Sequence, residues 1–351
     1  MTLIAFLRHL AFGAGLALLS ALVVRAMIAV RMMDTPDARK AHDRPTPKGG
    51  GVGIVAAFLA GIIGLYLFAA VARLADTYFL GVIAAALAIA LVALLDDRYD
   101  WPFTVKLGAQ VGAALTAIVT GLYLTDIRLP YLGVVELGAL GIGVTLVWVV
   151  FTTNAMNFID GLNGLASGVT LIACLFIAWI AVMEGSWFAY GMAGLLAAGI
   201  MGFLPFNFPR ARIFMGDVGS QFCGFILAEL AVVASRFDDV ELSFLLVPML
   251  LAGVLYDVAF TLVRRLAQGK RITEAHRGHL YQVAHRSGMS PVMVTLVHWG
   301  FAVIGGVACL LFIEASSGAK PFVPLLVVLP QAVWTVFVVA RARVAGVTEW
   351  G

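Results

Sequence analysis

Charge is what this sequence has least of. Only 12% of its 351 residues are Asp, Glu, Lys or Arg, against roughly 25% in a soluble globular domain. With 62% hydrophobic residues and a mean hydropathy of +1.00, the composition excludes a soluble enzyme and fits a bilayer protein. Cysteine is also scarce. Cys174, Cys223 and Cys309 each sit inside an apolar run, which excludes a disulfide framework and a cysteine metal motif. The net charge of +3 is too small for an electrostatic nucleic-acid binder. No internal repeat or low-complexity tract divides the chain, so residues 1–351 read as one integral membrane domain.

What is abundant is long apolar segments. At about 20 residues per crossing, the chain is expected to be an all-α polytopic protein with about 10–11 transmembrane helices. The segments run near 3–30, 51–71, 77–95, 104–124, 134–153, 164–183, 186–206, 218–235, 241–263, 291–313 and 321–340. The first continues to about Val30, too long for a signal-peptide core. Between two of them, Asp126–Glu136 alternates around Pro130 and Gly133. That is the pattern of a small hairpin, expected on the outer, periplasmic surface.

Lys and Arg collect on alternate connections. One set holds Arg31, Arg39, Lys40, Arg44, Lys48, Arg98, Lys106, Arg210, Arg212 and the run from Arg264 to Arg286; the other holds Arg73, Arg128, Arg236 and Lys320. Cytoplasmic loops carry the excess, so an odd number of spans puts the N-terminus outside and the C-terminus inside. Every polar cluster below then faces the cytoplasm.

Five connections carry those clusters. In PTPKGGG (45–51), Lys48 precedes glycines that open a helix, an arrangement suited to phosphate. In LLDDRYD (94–100), Asp96 and Asp97 are adjacent acids at a helix end, where both mutual repulsion and the helix dipole oppose them. Such a pair suits a nearby cation or a reacting proton. In NAMNFIDGLNGLASG (154–168), Asn154, Asn157, Asp160 and Asn163 recur every third residue, more polar groups than one helix cap requires. In FNFPRARIFMGDVGS (206–220), Asn207 and Asp217 flank Arg210 and Arg212. Asp217 stands where an N-cap would sit, and the metal-ligand reading competes with capping. In EAHRGHLYQ (274–282), His276, Arg277 and His279 suit a hydrogen-bonding lid over a sugar phosphate better than a zinc site, which lacks a matching Cys or carboxylate signature. Glu229 is an intramembrane acid and a functional candidate by default, without an evident partner.

Taken together and in this order, the five motifs resemble the polyprenyl-phosphate N-acetylhexosamine-1-phosphate transferase family, glycosyltransferase family 4, over roughly residues 30–290. The loop at His276 is more similar to the branch that initiates O-antigen and related glycans than to the muropeptide branch. The resemblance implies Mg²⁺-dependent transfer of N-acetylhexosamine 1-phosphate from a UDP-sugar to undecaprenyl phosphate, with release of UMP. It implies a multi-pass protein of the bacterial inner membrane with its active site toward the cytoplasm. UDP-GlcNAc and 6-deoxy donors such as UDP-QuiNAc or UDP-FucNAc all stay open, Mn²⁺ could replace Mg²⁺, and a homodimer is compatible. By resemblance, Asn157 and Asp217 hold the metal and Asp96 and Asp97 prepare the lipid phosphate. Lys48, Asn154, Asp160, Asn163, Asn207, His276, Arg277 and His279 hold the nucleotide sugar. Two competing readings are a secondary transporter of an anionic substrate, whose ligand groups would lie near the bilayer midplane, and a non-catalytic scaffold.

Overall fold

A computed structural model describes residues 2–34, 44–68, 76–236, 240–271 and 276–347. Arg39, Lys40 and Arg73, counted above for orientation, and Glu274 lie outside them. The described residues form an all-α polytopic membrane protein. Nine of their helices are long and apolar enough to cross a bilayer. Apolar side chains dictate this, because in lipid a helix is the open-chain structure that satisfies every backbone polar group internally.

In chain order the helices are α1 (Leu3–Val30), α2 (Gly51–Phe68), α3 (Thr77–Tyr99), α4 (Phe103–Val119), α5 (Leu140–Ile159), α6 (Leu165–Glu184), α7 (Trp187–Asn207), α8 (Gly216–Arg236), α9 (Leu246–Leu250), α10 (Ala252–Ala267), α11 (Leu280–Arg286), α12 (Pro291–Glu314) and α13 (Leu325–Val344). Helix α8 is the axis of the bundle. Some 94% of its most apolar stretch is buried, against 17% for α1, which leaves α1 at the periphery. Helices α5, α3 and α2 pack directly on α8.

Two strand pairs complete the chain. Strands β1 (Met33–Asp34) and β2 (Thr46–Pro47) pair in front of α2. The expected hairpin is present as β3 (Asp126–Leu129) and β4 (Gly133–Glu136), antiparallel with Asp126 opposite Glu136. It shares one end of the bundle with the connections before α9 and after α12. Arg128 reaches Glu241 at 2.8 Å, and Tyr131 donates to the Gly318 carbonyl at 2.8 Å.

Three boundaries depart from the sequence reading. The span expected at 134–153 begins six residues later and runs through Ile159, because 134–136 belong to β4. Asn154 and Asn157 are therefore helical, not in a loop. The segment expected to cross continuously at 241–263 is broken at Leu251 (φ −94°, ψ 8°) between α9 and α10. There Gly305 of α12 lets the 249–250 backbone come close: a Cβ at Gly305 would lie 2.4 Å from the Met249 carbonyl oxygen. Helix α4 has only 17 residues, short for a perpendicular crossing.

Candidate active site

The site forms where four chain segments end together. Helix α3 terminates because Asp100 turns left-handed (φ 52°) and Pro102 cannot continue it. This leaves Asp96 and Asp97 in its last turns, both buried. The next helix, α4, returns at once and brings Lys106 back against the acids. Its Nζ lies 2.9 Å from Asp96 Oδ2 and 3.1 Å from Asp217 Oδ2. Asp96 Oδ1 accepts the Trp101 backbone N–H at 2.8 Å.

Asp97 faces the other way, toward α2 and α8. Lys48 Nζ stands 3.4 Å from its Oδ1, and the Val218 N–H in the first turn of α8 approaches its Oδ2 at 3.5 Å. The positive end of a helix dipole thus meets a carboxylate. Lys48 is held there by backbone. Phe214 N–H bonds the Pro47 carbonyl (2.8 Å), and the N–H groups of Gly50 and Gly51 bond the carbonyls of Phe214 and Met215 (both 2.9 Å). Gly51 is required by closeness: a Cβ there would stand 2.2 Å from the Cα of Gly219.

Asp217 lies in the first turn of α8, one step inside the expected cap position. Its Oδ1 accepts the Asn157 amide at 3.0 Å, and that amide also reaches Ser220 Oγ at 3.0 Å. Its Oδ2 accepts Gln221 Nε2 at 3.3 Å. Asp160 caps α5. Burial, then the nearby Asp217 and Asp97, push its carboxyl well above the usual carboxylate range. Asn207 ties two loops together: its Oδ1 accepts Gly164 N–H at 2.6 Å and its amide donates to the Ile213 carbonyl at 3.0 Å. Asn163 donates to the Pro209 carbonyl at 3.3 Å.

These groups surround one cavity of about 330 Å³. Nine of the twelve residues singled out from the sequence line it: Lys48, Asp96, Asp97, Asn157, Asp160, Asn163, Asn207, Asp217 and Arg277. A larger cavity, about 580 Å³, lies at the hairpin end against Arg128, Glu241 and Lys320, remote from this carboxylate cluster.

Comparison with known proteins agrees. The model of "Glycosyl transferase family 4" matches residues 79–235. The chain is 32% identical over 323 residues to a decaprenyl-phosphate N-acetylglucosaminephosphotransferase of Mycobacterium tuberculosis, covering 84% of this chain and 79% of the relative. It is 29% identical over 314 residues to a probable undecaprenyl-phosphate N-acetylglucosaminyl 1-phosphate transferase of Bacillus subtilis, covering 89% and 86%. A phospho-N-acetylmuramoyl-pentapeptide-transferase of Acetivibrio thermocellus is 30% identical over 295 residues, covering 76% and 82%. This chain belongs to the polyprenyl-phosphate N-acetylhexosamine-1-phosphate transferase family.

Three of the residues singled out in this transferase do not line the cavity. Asn154 points away from it: its amide donates to the Val150 carbonyl at 2.9 Å and to Gln110 of α4. Asn154 is the α5 residue one turn ahead of Asn157, and its face of the helix packs on α4. His279 is buried, with Nδ1 3.2 Å from Asp257 Oδ1. His276 is half-buried; its Nδ1 accepts the Gly278 N–H at 3.2 Å. Burial, with His279, Arg265 and Arg264 nearby, lowers its pKa to about 4, so it is a neutral hydrogen-bonding group at pH 7. Arg210 and Arg212 are exposed on the loop before α8.

The structure adds residues the motifs did not single out. In the sequence Lys106 stands out only as an orienting charge. Tyr281 and Gln282 line the cavity from α11. The Tyr281 hydroxyl donates to the Phe158 carbonyl at 2.9 Å and lies where a Cβ on Gly161 would stand only 2.1 Å away. Asp257 of α10 holds that helix in place: it accepts the N–H groups of Leu280 (2.9 Å) and Tyr281 (3.0 Å) besides His279. The default that flags an intramembrane acid as functional applies to Asp257 as it does to Glu229, and would have found it.

Proposed function

We propose that this protein transfers N-acetylhexosamine 1-phosphate from a UDP-sugar to undecaprenyl phosphate and releases UMP. An oxygen of the lipid phosphate attacks the β-phosphorus of the UDP-sugar. The new phosphorus–oxygen bond forms as the bond to the bridging oxygen breaks, and UMP leaves with that oxygen. The lipid phosphate has a second pKa near 6, so little base strength is needed and direct attack is favoured over a covalent aspartyl intermediate. Asp96, bonded to Lys106, is placed to take any remaining proton.

The observation that carries this reading is the charge of the cavity. Six aspartates and three cationic side chains line it, yet both substrates are anions. Such a site suits a divalent cation. Among the described residues no three His, Cys, Asp or Glu side chains form a ready metal cluster. Mg²⁺ keeps waters and takes one or two carboxylates together with substrate phosphates, a demand that Asp217 with Asn157 beside it can meet. Asp217 and the amide oxygen of Asn157 would hold it. When bound, Mg²⁺ would neutralise charge on the pyrophosphate and the departing UMP. Lys48, Asp160, Asn163, Asn207 and Arg277 would hold the nucleotide and sugar phosphate, with His276 supporting the sugar-side loop.

The setting is the cytoplasmic face of a bacterial inner membrane, supported by the Lys/Arg bias of the connections that bear the site. The lipid tail then stays in the bilayer while its phosphate meets a soluble nucleotide. We place the reaction at the start of O-antigen or another cell-envelope glycan, with UDP-GlcNAc the first donor to test, then UDP-QuiNAc and UDP-FucNAc. The transporter alternative is not favoured: the polar groups gather at one end of the bundle, and the relatives are transferases.

The test is purified protein in detergent with Mg²⁺, undecaprenyl phosphate and each UDP-N-acetylhexosamine, followed by mass spectrometry of the lipid. One donor should yield a lipid diphosphate sugar and an equivalent of UMP, abolished by chelation. No lipid product from any donor, with the protein folded, would overturn the proposal. Asp217→Ala and Asp97→Ala should each abolish product without preventing membrane insertion.

A further inference from the structure

The cavity does not explain why three amides are buried behind it. Asn154, Gln110 and Gln221 are 9%, 1% and 2% exposed. They lie on α5, α4 and α8, three helices whose other buried positions, Glu229 of α8 apart, are filled by apolar residues and small hydroxyls. A polar group in such a place costs stability unless it is hydrogen-bonded, and a leucine or methionine would fill the space without that demand.

Their bonds form a chain with a single direction. The Asn154 amide nitrogen donates to the Val150 carbonyl (2.9 Å) and to Gln110 Oε1. Gln110 Nε2 donates to Gln221 Oε1 at 3.0 Å. Gln221 Nε2 donates to Asp217 Oδ2 at 3.3 Å. Both ends set the direction. A backbone carbonyl only accepts, so the Asn154 atom facing Val150 is nitrogen. An ionised carboxylate only accepts, so the Gln221 atom facing Asp217 is nitrogen. Turning over Gln110 alone would place nitrogen against nitrogen and oxygen against oxygen. Every amide therefore points its N–H end toward Asp217, and each polarises the next.

The same oxygen of Asp217 also receives Lys106 Nζ at 3.1 Å. Lys106 stands one helical turn before Gln110, on the same face of α4. Helix α4 thus supplies both a charge and the middle link of the chain to Asp217 Oδ2. With Oδ2 held by Lys106 and Gln221 and Oδ1 by Asn157, the carboxylate cannot rotate freely.

We propose that Gln110 and Gln221 are positioning residues for Asp217: the buried amide chain that starts at Asn154 fixes the orientation of the carboxylate that would hold the divalent cation. Asn154 belongs to this support and not to the substrate surface. The inference rests on the proposed role of Asp217 in cation binding.

The test uses Gln110→Met, Gln221→Met and the double variant in the full-length protein. Two quantities are measured: steady-state transfer, and Mn²⁺ binding without substrates by electron paramagnetic resonance. Each single variant should weaken Mn²⁺ binding about fivefold or more and lower kcat about tenfold. KM for the UDP-sugar should stay within about twofold. Because the chain needs breaking only once, the double variant should be no worse than the poorer single variant. Equal Mn²⁺ affinity in wild type and variants, or effects that multiply in the double variant, would overturn the proposal. If a methionine variant fails to elute as a folded protein, Gln110→Leu or Gln221→Leu, which also removes the donor without adding a charge, replaces it and must weaken Mn²⁺ binding about fivefold or more. If wild type transfers no sugar phosphate but binds Mn²⁺, the proposed reaction fails while the Mn²⁺ comparison still decides the amide chain. If wild type does not bind Mn²⁺, the amide-chain proposal falls.

Discussion

Lys106→Met is the perturbation that most directly probes the centre of this transferase. The lysine makes two charge-assisted hydrogen bonds, to Asp96 at 2.9 Å and Asp217 at 3.1 Å, and its side chain is 22% exposed. Such bonds contribute about 1.5–3 kcal/mol each. With part of the side chain open to water the lower end applies, so about 3 kcal/mol of positioning is lost. At about 1.4 kcal/mol per tenfold, that is roughly a hundredfold in kcat/KM. The fold should survive, because neither acid is left bare: Asp96 keeps the Trp101 N–H and Asp217 keeps Asn157 and Gln221. Lys106→Arg retains the charge but not the compact three-donor head, and should recover part of the loss. The assay is radiolabelled transfer into lipid at varied UDP-sugar, beside thermal unfolding monitored by size-exclusion fluorescence. A Met variant within threefold of wild type would refute the bridging role.

Other expectations follow from single contacts. Gly51→Ala places a Cβ 2.2 Å from the Gly219 Cα; backbone cannot yield cheaply, so about 1–3 kcal/mol of overpacking should lower the unfolding temperature and move Lys48 from Asp97. An unchanged melt and activity would contradict that close approach. Asp257→Asn removes the charge that anchors Leu280, Tyr281 and His279. It should raise KM for the UDP-sugar about tenfold while leaving KM for the lipid phosphate unchanged, and equal effects on both would contradict the assignment. His276 titrates at about 4 in the folded protein against an ordinary 6.5. The unfolded chain therefore binds a proton first as pH falls, and this residue's contribution is present above about 6.5 and lost progressively toward 4. His276→Asn should flatten the acid limb of hydrogen-exchange protection in the 276–286 segment; an identical limb would exclude His276 as its source.

Much of the molecule was legible without coordinates, and the reasons differ by feature. Apolar runs near 20 residues long announce helices because lipid permits little else. The hairpin at 126–136 was legible from its turn residues, and the five polar motifs stood out because polarity is rare in this chain. The break at Leu251 was not, since hydropathy reports how apolar a segment is and not where its backbone angles change. Nor was the late end of α5: an amide reads as a loop residue until its helical partner is known. Asn154 and Asn157 are three residues apart in one motif, yet one turns to Gln110 and the other to Asp217.

Composition, hydropathy and five short motifs by themselves determined a many-helix membrane protein, its family and most of the cavity's residues, because those properties are local and additive along the chain. Which atoms meet was decided only in three dimensions. Lys106 looks like one more orienting charge, Asp257 and Gln221 like stray polar residues in apolar helices, until α3, α4, α8, α10 and α11 come together and set their side chains within 3.0 Å of a partner on another helix. Hydrogen bonds act at contact distance and between specific atoms, and contacts between residues more than a hundred positions apart, such as Lys106 with Asp217, exist only once the helices are packed.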